Sequence, residues 1–312
     1  MKGLIAINPL YGIAALVLSA CVAQNPYAAA NKSYKTQAKA YAKALRATPA
    51  PVPGTESLPQ GRYQVGTTNF NLRKPNYVVI HHTAQDSAGQ TLKTFTTPRT
   101  EVSAHYVIGR DGRVYHMLND YLRAWHAGEG KWGNDTDINS SSIGIELDNR
   151  GTEPFAEPQI ASLLQLLAGL KQAYHIPTAN FIGHADIAPA RKTDPSVLFP
   201  WRRLASQGFG LWYDAAALAA PFPADSAQAL LGPVAFPGAS QADSAAVDAQ
   251  LARLNALPAP LSPQEALRLI GYDTRNLPAA IRAFKLHFIQ QNVKAPLSEA
   301  DLRILYNLCR KY

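Results

Sequence analysis

Cysteine is nearly missing from this sequence, with only Cys21 and Cys309 in 312 residues. So few cysteines argue against a disulfide framework and against a cysteine-ligated metal site. Charged residues are also sparse, at 17%, and no dense lysine and arginine cluster alternates with aromatic residues. The formal net charge of +8 suits acidic partners such as nucleic acid, anionic lipid or cell-wall polymers. Because no nucleic-acid motif accompanies this charge, we interpret it as a solvated basic surface.

Hydrophobic residues are plentiful, at 47%, which is enough for a sizeable core, and 23 prolines indicate long irregular connections. Apolar residues recur at helical spacing from Glu157 to Tyr174. Strands mixed with a long helix predict an α/β (α+β) fold, in which helices flank a central mixed β-sheet. The predicted strands lie at 77–80, at 142–147, at 180–183 and in a hairpin at 103–118 around the Asp-Gly turn of residues 111–112.

The first twenty residues have the pattern of a bacterial secretory signal. Lys2 precedes an apolar stretch at 11–18, which is too short to span a bilayer as a helix. The stretch ends in Leu-Ser-Ala-Cys, which resembles the lipobox of bacterial lipoproteins. In that case Cys21 becomes the lipid-modified first residue of the mature chain. A plain secretory signal with an incidental cysteine is the alternative, and we favour the lipoprotein. Val22 stands where an aspartate would favour inner-membrane retention, so we expect an anchor in the outer membrane, facing the periplasm.

Composition divides the rest of the chain into four parts. Residues 21–70 are rich in Ala, Pro, Tyr and Lys and are interpreted as a tether. A main domain is predicted at 71–215, and an Ala-, Pro- and Ser-rich linker at 216–260. Residues 261–312 contain three segments of helical pattern, which predict a small C-terminal three-helix domain.

Chemically useful side chains follow several of the predicted strands. His81 and His184 each end a strand, and Asp194 lies in the loop after the last one. Two histidines and one aspartate are the ligand number of a catalytic zinc site, which keeps its fourth position for water. A carboxylate, Glu146, and a cation, Lys192, would supply a proton acceptor and a group that stabilises negative charge.

Residue types alone leave alternatives open. A single histidine at a strand end is more often a hydrogen-bonded structural residue than a ligand. His82 could compete with His81, although neighbours on a strand point to opposite faces, so that only one can face a metal. Glu146 and Asp148 share a strand face and could form the carboxylate pair of a glycoside hydrolase, but neighbours on one strand are poorly placed to flank a bond.

The chain from about Tyr77 to Trp212 resembles the zinc-dependent N-acetylmuramoyl-L-alanine amidases of the AmpD/AmiD type, which share a fold with the peptidoglycan recognition proteins. The strings that carry the resemblance are VVIHHTA, VSAHYVIGRDGRVYHML, AWHAG, SSIGIELDNRG, FIGHADIAPARKTDP and FPWRRLA. Cys21 and the C-terminal helices favour the branch of this family whose members are outer-membrane lipoproteins. The resemblance implies one zinc ion per chain, bound by His81, His184 and Asp194.

The same resemblance implies the reaction, which is hydrolysis of the amide bond between N-acetylmuramic acid and L-alanine by a zinc-activated water. Glu146 would be the catalytic base, and Lys192 would polarise the substrate carbonyl. His126, in AWHAG, is expected to line the substrate cleft, and residues 130–142 are expected to form an exposed loop near it. The alternative function is a non-catalytic peptidoglycan-binding protein.

Residues 261–312 resemble peptidoglycan-binding three-helix domains through LRLIGYDTRN and AIRAFKLHF. Such a module, tethered to an enzyme, would raise the local substrate concentration. The expected partners are therefore peptidoglycan or muropeptides, and a membrane through the lipid at Cys21. We expect a monomer that binds no nucleic acid.

Overall fold

The computed structural model describes residues 25–47, 66–219 and 261–312. The predicted signal segment, Cys21 and most of the predicted linker lie outside these residues. The chain divides into two compact units, residues 1–63 and residues 64–312. The described part of the first unit is one helix, α1 (Ala28–Arg46), which has no buried residue. The predicted tether thus contains a nineteen-residue helix.

A five-stranded mixed sheet forms the centre of the second unit, with strand order β3-β2-β4-β1-β5. The pairs β1–β4, β1–β5 and β2–β4 are parallel, and only β2–β3 is antiparallel. This arrangement confirms the predicted fold class. The strands are β1 (Tyr77–His82), β2 (Tyr106–Ile108), β3 (Val114–His116), β4 (Ser142–Leu147) and β5 (Phe181–Gly183).

Helices cover the sheet. The long helix α4 begins and ends as predicted, because Pro158 is tolerated in its first turn and His175 ends it in a left-handed conformation. Its apolar side packs on strand residues such as Ile80 and Ile145 in one buried cluster. The helices of the main domain are α2 (Ala88–Phe95), α3 (Ile138–Ser141), α4 (Glu157–Tyr174), α5 (His184–Ile187), α6 (Trp201–Ser206) and α7 (Ala216–Ala219).

The hairpin between β2 and β3 turns at the predicted Asp-Gly pair. Gly112 has φ +82°, in the left-handed region. A Cβ there would lie 2.7 Å from the carbonyl oxygen of Pro158, so the turn packs directly against the start of α4. Both constraints favour glycine at this position.

The C-terminal helices, α8 (Pro263–Ile270), α9 (Leu277–Phe284) and α10 (Glu299–Cys309), confirm the predicted three-helix pattern, and a π-helical turn (Lys285–Ile289) extends α9. Ser262 and Ser298 accept hydrogen bonds from the third residue of α8 and α10, and both form capping boxes. Within the described ranges, none of the helices has the length and apolar character needed to cross a bilayer.

Candidate metal centre

The parallel strands β4, β1 and β5 bring three polar side chains to one edge of the sheet. His81 on β1 is in register with Glu146 on β4, and Ile80 is in register with Gly183, the residue before His184. Since parallel strands end at the same edge, residues more than a hundred positions apart along the chain become neighbours there. The structure therefore unites the strand-end residues that the sequence analysis selected.

One side-chain atom from each of His81, His184 and Asp194 points to a common position. Nδ1 of His81 lies 2.9 Å from Nδ1 of His184, and Oδ2 of Asp194 lies 3.2 Å and 3.0 Å from those two nitrogens. His81 and His184 are buried, at 1% and 4% exposure, and Asp194 is half-buried. Each of the three residues offers one atom to a common position that could hold a metal ion.

The Nε2 atoms of His81 and His184, which face away from the metal position, each have a hydrogen-bond partner. Nε2 of His184 lies 3.1 Å from the carbonyl oxygen of Ala127, which can only accept, so this nitrogen carries the proton. The Ser142 hydroxyl donates to the carbonyl of Ile138, which leaves its oxygen to accept from Nε2 of His126 at 3.2 Å. Nδ1 of His126 is then the acceptor for Nε2–H of His81, at 3.1 Å.

The imidazole of His81 is in the neutral form that a metal ligand needs. Burial, followed by the nearby His184, lowers the pKa of His81 to about 4, so its imidazole is neutral. The hydrogen bonds of the two Nε2 atoms turn both Nδ1 atoms toward Oδ2 of Asp194. Two imidazole nitrogens with one carboxylate oxygen form a catalytic zinc ligand set. The residues therefore fit zinc.

Glu146 lies beside the three ligands in a buried position, where a negative charge is unfavourable. Burial and the neighbouring Asp194 raise its pKa to about 8, and Lys192 acts in the opposite direction. Its Oε2 is buried and has no hydrogen-bond partner among the described residues. An unpaired carboxyl with a raised pKa is suited to accept and return a proton near neutral pH.

The two adjacent histidines of β1 point to opposite faces of the sheet, as strand alternation predicts. Whereas His81 faces the metal position, His82 accepts a hydrogen bond at Nδ1 from the backbone N–H of Ser196, at 3.1 Å. Ser196 lies two residues after Asp194. His82 thus holds the loop that carries the third ligand and is not itself part of the ligand group.

His126, which was expected to line the substrate cleft, lies next to the ligand His81. Its imidazole is 8% exposed and lies behind His81, between that residue and Ser142. The ring packs over Gly144 of β4, where the missing Cβ leaves room, and contact of His126 with substrate stays a prediction. His126 supports a ligand through a hydrogen bond, whereas Trp125 beside it is half-exposed.

The segment 130–142 is only partly the exposed loop that was expected. Trp132, Ile138 and Asn139 are buried, and α3 forms its last turn. Oδ1 of Asn139 accepts from the backbone N–H groups of His126 and Ala127, at 3.0 Å and 2.9 Å. The polar composition of the segment gave no indication that Asn139 binds this backbone. The apolar Trp132 and Ile138 were the only sequence features in the segment that indicated burial.

A second residue that the sequence analysis did not select is Arg191. Its Nη2 donates to the carbonyl of Ala127 at 2.9 Å, the same oxygen that His184 uses. The guanidinium lies against Gly128, where a Cβ would be 3.0 Å from Nη2. Asn139 and Arg191 together hold residues 126–128 in place. The imidazoles of His81 and His184 both form hydrogen bonds with this segment.

Residues 71–197 match the N-acetylmuramoyl-L-alanine amidase family. The chain is 41% identical over 154 residues to the N-acetylmuramoyl-L-alanine amidase AmiD of Escherichia coli, which is 44% of this chain and 55% of that protein. It is 40% identical over 106 residues to the 1,6-anhydro-N-acetylmuramyl-L-alanine amidase AmpD of Haemophilus influenzae, or 34% of this chain and 58% of that one. The chain thus spans just over half the length of these curated relatives.

Two solved structures share the fold over a longer stretch. E. coli AmiD, in complex with anhydro-N-acetylmuramic acid-L-Ala-D-γ-Glu-L-Lys, has a TM-score of 0.60 at 29% identity, covering 80% of this chain and 93% of AmiD. Pseudomonas aeruginosa AmpDh3 has a TM-score of 0.61 at 28% identity, covering 82% and 99%. Residues 71–197 thus match the N-acetylmuramoyl-L-alanine amidase family, and the chain shares its fold with AmiD and AmpDh3.

Proposed function

We propose that this chain is a zinc-dependent amidase that hydrolyses the bond between N-acetylmuramic acid and L-alanine in peptidoglycan or muropeptides. The observation that carries the proposal is the convergence of His81, His184 and Asp194 on one position beside the unpaired carboxyl of Glu146. The family of residues 71–197 and the muropeptide bound in E. coli AmiD support the choice of substrate.

His81, His184 and Asp194 would hold the zinc ion. When bound, the ion supplies Lewis acidity, which polarises a carbonyl and lowers the pKa of water to about 7. Glu146 accepts a proton from the attacking water and returns it to the leaving amine of L-alanine. Lys192 is half-buried in the ligand loop, and its charge stabilises the negative oxygen of the tetrahedral intermediate.

The structure disfavours the two rival functions. A non-catalytic binding protein needs neither a complete ligand set nor an unpaired carboxyl beside it, and both are present here. A glycoside hydrolase would need Asp148 as partner of Glu146, but Asp148 is buried, with Oδ1 3.6 Å from Nη2 of Arg110. Two carboxylates that lie two positions apart along one segment are also poorly placed to flank a bond.

The test is digestion of purified muropeptides, with fragments identified by mass spectrometry. We expect release of the intact stem peptide, loss of activity with a chelator, and recovery with zinc. Glu146→Gln should keep its zinc and lose activity by about 100- to 10,000-fold, the usual contribution of a general base. Glycan fragments, or unchanged turnover in Glu146→Gln, would contradict the proposal.

We propose a position at the outer membrane, facing the periplasm, with a lipid on Cys21 and the chain as a monomer. Helix α1 supports a membrane partner, because it has no acidic residue and its five basic residues recur every three or four positions along one side. One acyl signal gives marginal binding, and a basic segment strengthens it on an anionic surface. The basic residues are Lys32, Lys35, Lys39, Lys43 and Arg46.

Cell fractionation tests this position. Cys21→Ser should move the protein from the membrane to the soluble fraction and abolish fatty-acid labelling. Labelling that survives this change, or a wild-type protein found only in the soluble fraction, would contradict the anchor. Peptidoglycan binding by residues 261–312 stays a prediction.

A further inference from the structure

The C-terminal helical module, residues 261–312, shares one buried core with the metal-binding elements. Val79 of β1 and Ile182 of β5 belong to the same apolar cluster as Leu267, Phe284 and Phe288 of the module. Gly133 donates to the carbonyl of Gly271 at 2.8 Å, next to the ring of Trp132. The predicted tethered module is therefore a packed part of the same unit.

The module contacts the carboxylate of Asp186, a residue two positions after the ligand His184 that is 1% exposed. Its Oδ2 accepts from the backbone N–H of Gly183 at 2.7 Å and from Nδ1 of His287 at 2.8 Å. Its Oδ1 accepts from the hydroxyl of Tyr272 at 2.8 Å. Two of the three donors thus belong to the module, more than eighty residues further along the chain.

Asp186 lies in the short helix α5, whose first residue is the ligand His184. Fixing this carboxylate fixes the turn that orients the His184 ring. The donor His287 is itself held in place, because its ring stacks on Trp201 with centroids 3.8 Å apart and planes 16° apart. A four-residue helix has too few hydrogen bonds of its own to define a ligand position.

The module also holds both ends of the loop that carries Lys192 and Asp194. Before these residues, Nη2 of Arg282 donates to the carbonyl of Pro189 at 2.6 Å. After them, Nε2 of Gln290 donates to the carbonyls of Val197 at 3.2 Å and Phe199 at 2.5 Å. The loop between these contacts has little regular structure to set its path.

We propose that the C-terminal module completes the metal centre, with Tyr272 and His287 as positioning residues that act on His184 through Asp186. The inference rests on the proposed function, in that the ion they help to place is the catalytic zinc. Hydrogen-bonding groups outside the ligand shell commonly change metal affinity by about 10- to 100-fold. Losing one of these donors should therefore weaken zinc binding without removing any ligand.

The experiment uses the full chain and compares Tyr272→Phe and His287→Leu with wild type. Zinc affinity is measured by competition with a chromophoric chelator, and the ligand geometry by the visible absorption of the cobalt-substituted protein. We expect a zinc Kd raised about 10- to 100-fold, a shifted cobalt spectrum, and a fall in kcat larger than the change in KM. His287→Asn, whose amide can donate from nearly the same place as Nδ1, should restore most of the affinity.

Leu305→Val is the matched control, because Leu305 is a fully buried residue of the module without a polar group to offer Asp186. It loosens the module by packing alone. If Tyr272→Phe and His287→Leu keep wild-type zinc affinity and cobalt spectrum, or change them only as Leu305→Val does at equal stability, the positioning role is overturned. A wild-type protein that binds zinc but leaves muropeptides intact would instead refute the proposed function, and the affinity comparison would still decide the inference.

Discussion

Glu146 occupies a position where a carboxyl holds its proton to an unusually high pH. Its pKa is raised to about 8 by burial and by Asp194, from an ordinary value of 4.5. In the metal-free protein, the folded state then binds a proton more tightly than the unfolded state. The stability that this provides is fully present below pH 4.5 and is lost as the pH rises through about 8.

Urea unfolding of the metal-free protein at pH 5, 6.5 and 8 measures this dependence. The free energy of unfolding of wild type, relative to Glu146→Gln, should fall with pH by at most about 1.4 kcal/mol per unit. The variant cancels the titration of all other groups, His81 included. Parallel pH curves for the two proteins would show that Glu146 titrates normally.

His126 determines the orientation of His81 through a single hydrogen bond. His126→Phe keeps an aromatic ring over Gly144 but removes the acceptor for Nε2–H of His81. We expect zinc affinity to fall about 10- to 100-fold, measured by chelator competition. His116→Ala is the control, since His116 is half-exposed and pairs with Asp120 instead. An equal effect in both variants would exclude a specific role for His126.

Single residues differ in how far the sequence could define them. Strand alternation predicted that only one of His81 and His82 faces the metal, because the period of two is a local property of the backbone, and the resemblance selected His81. The place of His126 was beyond sequence reasoning, since it depends on a ring packing over Gly144, eighteen positions away and on another element. Residue type suggested the roles of Lys192 and Asp194 and the resemblance assigned them, but no local pattern predicts where that loop folds.

Strand β4 holds the carboxyl beside the metal centre, since it carries Glu146 and lies between β2 and β1. Gly144 within it leaves room for the His126 ring, and a Cβ there would lie 2.4 Å from Cγ of that ring. Gly144→Ala should therefore destabilise the fold by about 1–3 kcal/mol, as overpacking does. It should also weaken zinc binding, because His126 must move.

Gly169→Ala is the comparison for that variant. Gly169 lies on the exposed side of α4, where a Cβ would meet nothing within 4 Å. Alanine there should raise stability by about 0.5–1 kcal/mol, because it favours the helix. Chemical denaturation and zinc titration of both variants check the pair, and a Gly144→Ala protein as stable as wild type would contradict the packing argument.

Elements whose apolar residues recur with a clear helical or strand period were predictable from the sequence. Elements that are held by tertiary contacts were not. Helix α4 and strand β4 agree with their predicted bounds, because apolar spacing and Pro158 mark them locally. The segment 130–142 reads as polar, yet Trp132 is buried against Tyr272, with ring centroids 5.0 Å apart. Its order is set by a partner more than a hundred residues away.

At the scale of the whole second unit, the shared core predicts that the module and the sheet unfold together. Phe284 is fully buried in the cluster that also contains Val79 and Ile182. Phe284→Ala should cost about 3–5 kcal/mol of stability while the transition stays cooperative. Calorimetry, with zinc release followed in parallel, should show one transition for protein and metal. Two separated transitions would mean that the module is an independent domain.

Composition suggested a linker and a separate module, and that division misses the packing of the module. The helices at 262–308 have apolar faces, which sequence patterns reveal, but a pattern does not say which surface a face covers. Tyr272 and His287 carry no signal of their own, since their partner Asp186 lies in another part of the chain. Only the folded structure brings these donors to one carboxylate.

The wide separation of the ligands along the chain has a consequence for how the protein reaches its native state. His81 and His184 are 103 positions apart and become neighbours only after β1 and β5 have paired. Parallel pairings of this kind form slowly, because a long loop must close before any contact compensates for its entropy. An unfolded chain therefore does not present the complete ligand set to zinc, and the ion should leave the refolding rate nearly unchanged while slowing unfolding. Its affinity for the folded state then adds to the native stability, so zinc supply would govern how long the folded protein lasts.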